Sequence, residues 1–235
     1  MFSYKFDWAI ITSGQYFDWL VSGVRVTLEL SAVSVVLSFF LGLLIAVMRM
    51  SNVRPVRWFA HGYLEFFRNT PLLVQIFFWY FGSYKLLPKV INDWLNSTNF
   101  EFTAAVIALT IYTLAFIAED IRSGVRSIPK EQMEAARSSE FSYLRSMQYI
   151  ILPQALRNMI PSFVNQFVSM IKDTSLAFIV GVSELTHVAT QINNRTMVYP
   201  TEIFLFIAVV YFIICFAFTS LSRWREKRLS WRKAI

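Results

Sequence analysis

Cysteine is almost missing from this chain: Cys215 stands alone, inside an apolar run. A disulfide framework is therefore excluded, and cysteine usage carries no information on redox compartment. Histidine is nearly as scarce. His61 and His187 lie far apart, with no Cys or carboxylate cluster at metal-ligand spacing beside them, so no metal centre is expected. The sequence also lacks a GxxxxGK[ST] phosphate loop, a GxSxG elbow and an HExxH helix. The chain itself is not expected to be an enzyme, and any ATP its work requires must be bound by another subunit. Met1 to Trp19 carries Asp7 and Asp18 and no basic run, so a cleaved signal peptide is not expected. No repeat, low-complexity tract or linker interrupts the sequence, which reads as one domain over 1–235.

What is abundant is apolar surface. The 235 residues are 56% hydrophobic, above the ~45–50% of ordinary soluble domains. Aromatics are plentiful, as expected where side chains face lipid tails and the membrane interface. The net charge of +7 could suit nucleic acid, but its distribution argues otherwise. Arg223, Arg225, Lys227, Arg228, Arg232 and Lys233 crowd behind one apolar run, and Arg49, Arg54 and Arg57 behind another. Basic clusters abutting hydrophobic spans mark the cytoplasmic side of a membrane protein. No nucleic-acid partner is expected.

A crossing needs about twenty mostly apolar residues. Five runs qualify: Trp19 to Met48, Tyr63 to Gly82, Phe102 to Ala118, Met159 to Val182 and Ile203 to Leu221. The predicted fold is an all-α membrane protein with five transmembrane helices. Loops 49–61 and 122–149 and the C-terminal tail are basic, whereas loops 83–101 and 183–201 hold only Lys85, Lys89 and Arg195. The N-terminus, with residues 1–18, is thus expected outside, and the C-terminus in the cytoplasm.

Pro71 in the second run and Pro161 in the fourth each remove a backbone donor and predict kinks. Freed carbonyls are tolerated in lipid only where they meet protein or a wet cavity, so both kinks should point inward. Ionisable groups within spans are costly, about 3 kcal/mol each, and usually face a bundle interior. The fourth run is the richest: Asn165, Gln166, Ser169, Lys172, Asp173, Thr174 and Ser175. Asn165, Ser169 and Lys172 share one helical stripe, and Gln166, Ser169 and Asp173 an overlapping one. Lys172 and Asp173 diverge by about 100° and are poor partners for each other. In the second run Glu65 and Arg68 can pair, and Arg68 and Thr70 lie beside Pro71. These stripes can serve as donors and acceptors for a zwitterion in a substrate pathway. Any single one of these residues is more often interhelical glue, whereas the fourth-run stripe as a whole points to a pathway. Glu119 and Asp120 are expected to bridge to Arg122, Arg126 or Arg49 at the interface, without a chemical role.

The loop about 122–150 carries the most telling residues. Pro129 and the acids behind it make a good helix start, and Ala135 and Ala136 are small enough for close docking. Glu134-Ala135-Ala136, then three residues, Glu140, nine residues, and Ile150-Ile151-Leu152-Pro153 resembles the coupling motif of ABC importer permeases, in which Gly stands where Glu140 is here. Further segments narrow the resemblance to the polar amino acid permease family. They are Phe67–Gln75 (FRNTPLLVQ), Ala118–Gly124 (AEDIRSG), Leu152–Pro161 (LPQALRNMIP), Ile171–Leu176 (IKDTSL) and Gly181–Thr186 (GVSELT). Several ordered motifs at family spacing are far more specific than one pattern.

The resemblance implies a permease in a bacterial inner membrane that pairs with a second permease, identical or not. It also implies two ATPase subunits, which hold the ATP and Mg, and a periplasmic binding protein that delivers an amino acid; lipid surrounds the assembly. Glu134, Ala135, Ala136, Glu140, Leu152 and Pro153 carry over to ATPase coupling. Asn165, Gln166, Ser169, Lys172, Asp173, Thr174, Arg68 and Thr70 carry over to the substrate pathway, with Asn165 and Gln166 at its centre. Neutral amides there, with Arg68 and Lys172 nearby, disfavour cationic substrates. Similarity through Val198–Phe204 (VYPTEIF) points to glutamate, aspartate or glutamine. Another amino acid, a channel or structural membrane subunit, or a membrane-embedded enzyme are the alternatives. At Glu140, Gly would permit a left-handed turn that another residue adopts at a cost of about 1–2 kcal/mol.

Overall fold

The computed structural model describes residues 6–82, 88–97 and 99–230. Lys85, Arg232 and Lys233, used above to orient the chain, lie outside them. Every regular element among the described residues is helical. In chain order they are α1 (Ala9–Thr12), α2 (Gln15–Met50), α3 (Arg54–Arg68), α4 (Leu72–Phe77), α5 (Lys89–Ser97), α6 (Phe100–Arg126), α7 (Lys130–Ser138), α8 (Tyr143–Ser146), α9 (Leu152–Asp173), α10 (Leu185–Thr196) and α11 (Pro200–Ser230). π turns follow α4 (Phe78–Gly82) and α8 (Met147–Ile151), and a 3₁₀ segment follows α9 (Thr174–Val180).

The long helix α2 packs through a stripe of small residues, against α10 near its start and against α6 further along. Gly23, Thr27, Ser31, Ser34, Ser38 and Gly42 recur at three or four residues and are all buried. Small side chains let two backbones approach, the usual device where no hydrophobic effect drives helices together. At Gly42 the approach is close enough that a Cβ would lie 2.9 Å from Ile117 Cγ2. Ser38 keeps its hydroxyl satisfied on Ser34 O at 2.7 Å and also reaches Thr110 O at 3.1 Å. Since Ser38 meets Thr110 and Gly42 meets Ile117, the two helices run parallel.

Helix α6 is the centre of the bundle, and its Asn99 cap accepts from Phe102 N–H at 3.0 Å. Around one end Ile45, Leu64, Ile117, Ile121, Ile151 and Met159 form a core. Midway, Leu30, Leu72, Ile76, Leu109 and Met170 form a second. A third gathers Ile11, Leu20, Leu185, Ile192 and Ile203 where α1, α2, α10 and α11 meet.

Among the described residues, three helices are long and apolar enough to cross a membrane: Gln15–Met50, Phe100–Arg126 and Pro200–Trp224. At ~1.5 Å per residue, the 36 residues of α2 measure about 54 Å, well beyond a ~30 Å hydrocarbon core. The predicted fourth run is a broken helix pair, Tyr143–Val180 and Leu185–Thr196, bent by 46°. Gly181, at φ +90°, ends the 3₁₀ segment at the bend.

Proline explains where continuity fails. The second run was expected to be one kinked helix from Tyr63 to Gly82, but Asn69–Pro71 separate α3 from α4 altogether. Pro71 is extended (ψ 135°) and caps α4, because proline biases its predecessor away from helix and supplies no N–H. Gln75 then donates to the freed Phe67 O at 3.1 Å and Thr70 O at 3.2 Å. Pro153 cannot bond back to Tyr149, and the π turn ends two residues before it, at Ile151. Pro161 lies within α9 as expected.

Candidate functional site

Loop 127–153 folds into a compact hairpin of helices. Lys130–Ser138 forms α7, with Pro129 as its cap. Glu134, Ala135, Arg137 and Glu140 are exposed, whereas Ala136 is 4% exposed. The two alanines thus divide their roles, Ala136 packing inward and Ala135 facing out.

The C-terminus of α7 closes with two bonds characteristic of a Schellman ending. Glu140 N–H donates to Arg137 O and Phe141 N–H to Ala136 O, both at 3.2 Å. That ending needs a left-handed residue at its turn. Glu140 provides it at φ +62°, the very conformation that glycine adopts without cost. Phe141 comes back beside Ala136, and with Gln132, Ala135, Ser139 and Ile150 they border a shallow open hollow.

The hairpin is fastened to the bundle at several points. Gln154 donates to Gln132 Oε1 at 2.6 Å and to Ile150 O at 2.8 Å, tying α7 to the start of α9. Asn158 donates to Ser127 Oγ at 3.1 Å, and that hydroxyl donates to Gly124 O at 2.7 Å. Met133 packs on the core formed by Ile121, Ile151 and Met159. Leu152 is half-buried and Pro153 exposed at the first turn of α9. A push on α7 therefore reaches α6 and α9 together.

The polar series of α9 is spread over different surroundings. Asn165 and Lys172 are exposed, Gln166, Ser169 and Asp173 half-buried. Thr174 is wholly buried and donates to Ile171 O at 2.8 Å. Ser175 donates to Lys172 O at 2.6 Å. Lys172 and Asp173 diverge as their helical offset requires. They form no ion pair with each other among the described residues, Lys172 being exposed and Asp173 half-buried.

Two expectations change. Glu65 and Arg68 form no ion pair among the described residues. Glu65 instead lies 3.8 Å from His61 and accepts from Asn69 at 3.3 Å, while Arg68 places its guanidinium over Phe116, 5.6 Å from the ring centroid. Thr70 donates to Phe66 O at 2.7 Å. Glu119 bridges to Arg122 as expected, but Asp120 turns towards α9 and accepts from Gln166 Nε2 at 3.1 Å. The helical offset is the cause: adjacent residues on α6 point about 100° apart, so the two acids cannot share one partner.

Among known proteins, the family model described as "Binding-protein-dependent transport system inner membrane component" matches residues 38–231. The chain belongs to this family. The probable glutamine ABC transporter permease protein GlnM of Bacillus subtilis is 40% identical over 213 residues, 91% of this chain and 94% of that one. The glutamate/aspartate import permease protein GltK of Escherichia coli is 32% identical over 228 residues, 96% and 99% of the two chains. A crystal structure of an amino acid ABC transporter with histidines superposes with a TM-score of 0.84 at 32% identity, covering 95% of this chain and 99% of that one.

Two features of the chain escaped sequence reasoning. One is the contact of Asp120 with Gln166, which the adjacency of Glu119 disguised. The other is Glu184, fully buried at the bend before α10. Its carboxylate accepts from His187 N–H at 2.7 Å, Thr186 N–H at 2.9 Å and the Tyr211 hydroxyl at 2.9 Å. Leu185 N–H donates to Thr27 Oγ1 at 3.2 Å. The joint is thus bound to both α2 and α11. An acid just after a Gly-Val-Ser break, at the start of a helix, was the available signal.

Proposed function

We propose that the chain is the permease subunit of an ATP-driven importer of polar amino acids, with glutamine, glutamate and aspartate the first substrates to test. The observation that carries this reading is the helical hairpin at 127–153. It presents Glu134 and Ala135 outward beside a shallow hollow, and it is bonded to α6 and α9. Such an object is a lever. The family match supplies the kind of machine, and relatives named as glutamine and glutamate/aspartate permeases supply the substrate class.

In this reading the chain is one permease domain that pairs with a second permease copy or sister subunit. Two ATPase subunits seat α7 and bind the ATP and Mg, and a periplasmic binding protein delivers the amino acid. Nucleotide-driven closure of the ATPases moves the hairpins and alternates access to the pathway. The chain crosses a bacterial inner membrane five times, the second crossing being the broken pair of α3 and α4. Its N-terminus is outside and its C-terminus in the cytoplasm, in keeping with the basic loops. Asn165, Gln166, Ser169, Lys172, Asp173, Arg68 and Thr70 line the route, with Thr174 supporting it from within the bundle.

Asp120 beside Gln166 favours a second substrate reading. The case against cationic substrates rested on the amides and on Arg68 and Lys172 nearby, and an acid now stands next to the amides. A relative named as an arginine permease, 30% identical, fits that possibility.

The test is uptake into proteoliposomes by the chain assembled with the ATPase, binding protein and any sister permease from neighbouring reading frames. ATP-dependent uptake of glutamine, glutamate, aspartate or arginine is expected. An assembled complex that hydrolyses ATP and moves none of them refutes the reading.

A further inference from the structure

On the amino-acid importer reading, we infer that the face of α6 formed by Tyr112, Phe116 and Asp120 receives the α-ammonium group of the substrate, displacing Arg68, which then takes the carboxylate. The three residues are four apart on one helix and so lie on one face. Tyr112 and Phe116 are in ring contact at 4.9 Å between centroids. Asp120 continues the line and touches Gln166 of α9 at 3.1 Å, and Asp173 lies near enough to Tyr112 for its charge to be felt there. An aromatic strip bounded by two acids is a cation-binding surface, since the ring faces and the carboxylates attract the same charge.

The protein shows which charge the surface takes. The exposed Arg68 guanidinium lies over Phe116, and its charge acts on Asp120 as well. This side chain stands for an arriving cation. Because α3 ends at Arg68 and the chain breaks at Asn69–Pro71, its base is anchored at a helix end rather than mid-helix. A zwitterion suits an exchange better than a simple cation would. Its ammonium takes the aromatic-acid face, and its carboxylate offers the freed guanidinium a bidentate partner. The exchange keeps every charge paired, whatever side chain the amino acid carries. Asp120 is thereby a substrate-contact residue, and Gln166 orients its carboxylate.

The experiment compares the assembled transporter with its Asp120→Asn, Asp120→Glu and Phe116→Leu variants in proteoliposomes, using labelled glutamine, glutamate and arginine. Asp120→Asn keeps the size of the side chain and its acceptor for Gln166. It should lower uptake of each transported amino acid at least tenfold. Asp120→Glu should recover most of that loss, and Phe116→Leu should lower uptake severalfold. Assembly is monitored by co-purification of the ATPase. Should Asp120→Asn fail to assemble, Phe116→Leu and Asp120→Glu decide. Wild-type uptake in Asp120→Asn overturns the inference and leaves the importer reading intact. So does a loss confined to arginine, which would mean side-chain recognition. Absence of uptake of these three and of aspartate by an assembled wild-type complex that hydrolyses ATP overturns both.

Discussion

Replacing Glu140 by glycine should stabilise the end of α7 without harming transport. Glu140 holds φ +62°, where a Cβ costs about 1–2 kcal/mol. Glycine removes that cost but brings extra unfolded-chain entropy of about 0.4–1 kcal/mol, so the net gain should approach 1 kcal/mol. The gain is local, because two hydrogen bonds depend on this turn: Glu140 N–H to Arg137 O and Phe141 N–H to Ala136 O. Hydrogen exchange over a peptide covering residues 136–142 reads it directly. A gain of about 1 kcal/mol slows exchange of these amides about fivefold. Alanine is the control, since it removes the charge and keeps the Cβ. If Glu140→Ala slows exchange as much as Glu140→Gly, the conformational argument is wrong and the side-chain charge is responsible. ATP-driven uptake should survive Glu140→Gly, and a marked loss of coupling would mean that the carboxylate itself contacts the ATPase.

Further expectations follow from the packing. In Gly23→Ala the new Cβ would lie 2.9 Å from Leu185 Cα, a backbone atom that cannot step aside, so a loss of about 1–3 kcal/mol should appear as a lower unfolding temperature in detergent. Glu184→Ala leaves two amides of α10 without their acceptor and the half-buried Tyr211 hydroxyl with Thr186 Oγ1 alone. It should destabilise by at least about 1–3 kcal/mol, while Glu184→Gln, which keeps an acceptor, should cost less by the same assay. Gln154→Leu cuts the bond that latches α7 to α9, and should lower uptake per ATP hydrolysed more than ATPase activity itself. Gln166→Glu should change the preference among amino acids of different charge, and unchanged preference argues against a pathway at Gln166.

The long apolar helices were legible because α2, α6 and α11 carry runs that no charged residue interrupts, over Leu30–Met48, Phe102–Ala118 and Ile203–Leu221, and composition alone decides such segments. The second run was misjudged for a local reason. Apolar residues continue on both sides of Asn69-Thr70-Pro71, so hydropathy sees one segment, while backbone chemistry at Pro71 makes two. At the loop, the missing glycine was legible as strain, and the left-handed Glu140 is its structural form. Asp120 was misplaced because its neighbour Glu119 has a good partner three residues on, in Arg122. Sequence spacing cannot show that the next residue faces another helix. The Glu184 joint was hidden for a similar reason, since its partner Tyr211 is 27 residues away on α11.

The route of force through the molecule depends on how the hairpin is attached. Were α7 tied to α9 alone, a pull on it would slide α9 along α6 and shear the contact of Gln166 with Asp120. Its ties reach both helices, through Gln132 with Gln154 on one side and Ser127 with Asn158 at the end of α6. Gly124 and Met159 lock the same level further: a Cβ on Gly124 would fall 2.3 Å from Met159 Cγ, so the two helices touch without a spacer. Force on α7 should thus move the inner ends of α6 and α9 as one body. The 46° bend lies beyond α9, and Glu184 holds that joint to α2 and α11. Between the fastened inner end and the fastened joint stand Pro161, with no hydrogen bond to give, and the exposed and half-buried residues Asn165, Gln166 and Ser169. Bending is cheapest where the ladder already lacks a bond, so motion at the hairpin should be spent near Pro161, directly beneath the residues proposed to meet the substrate.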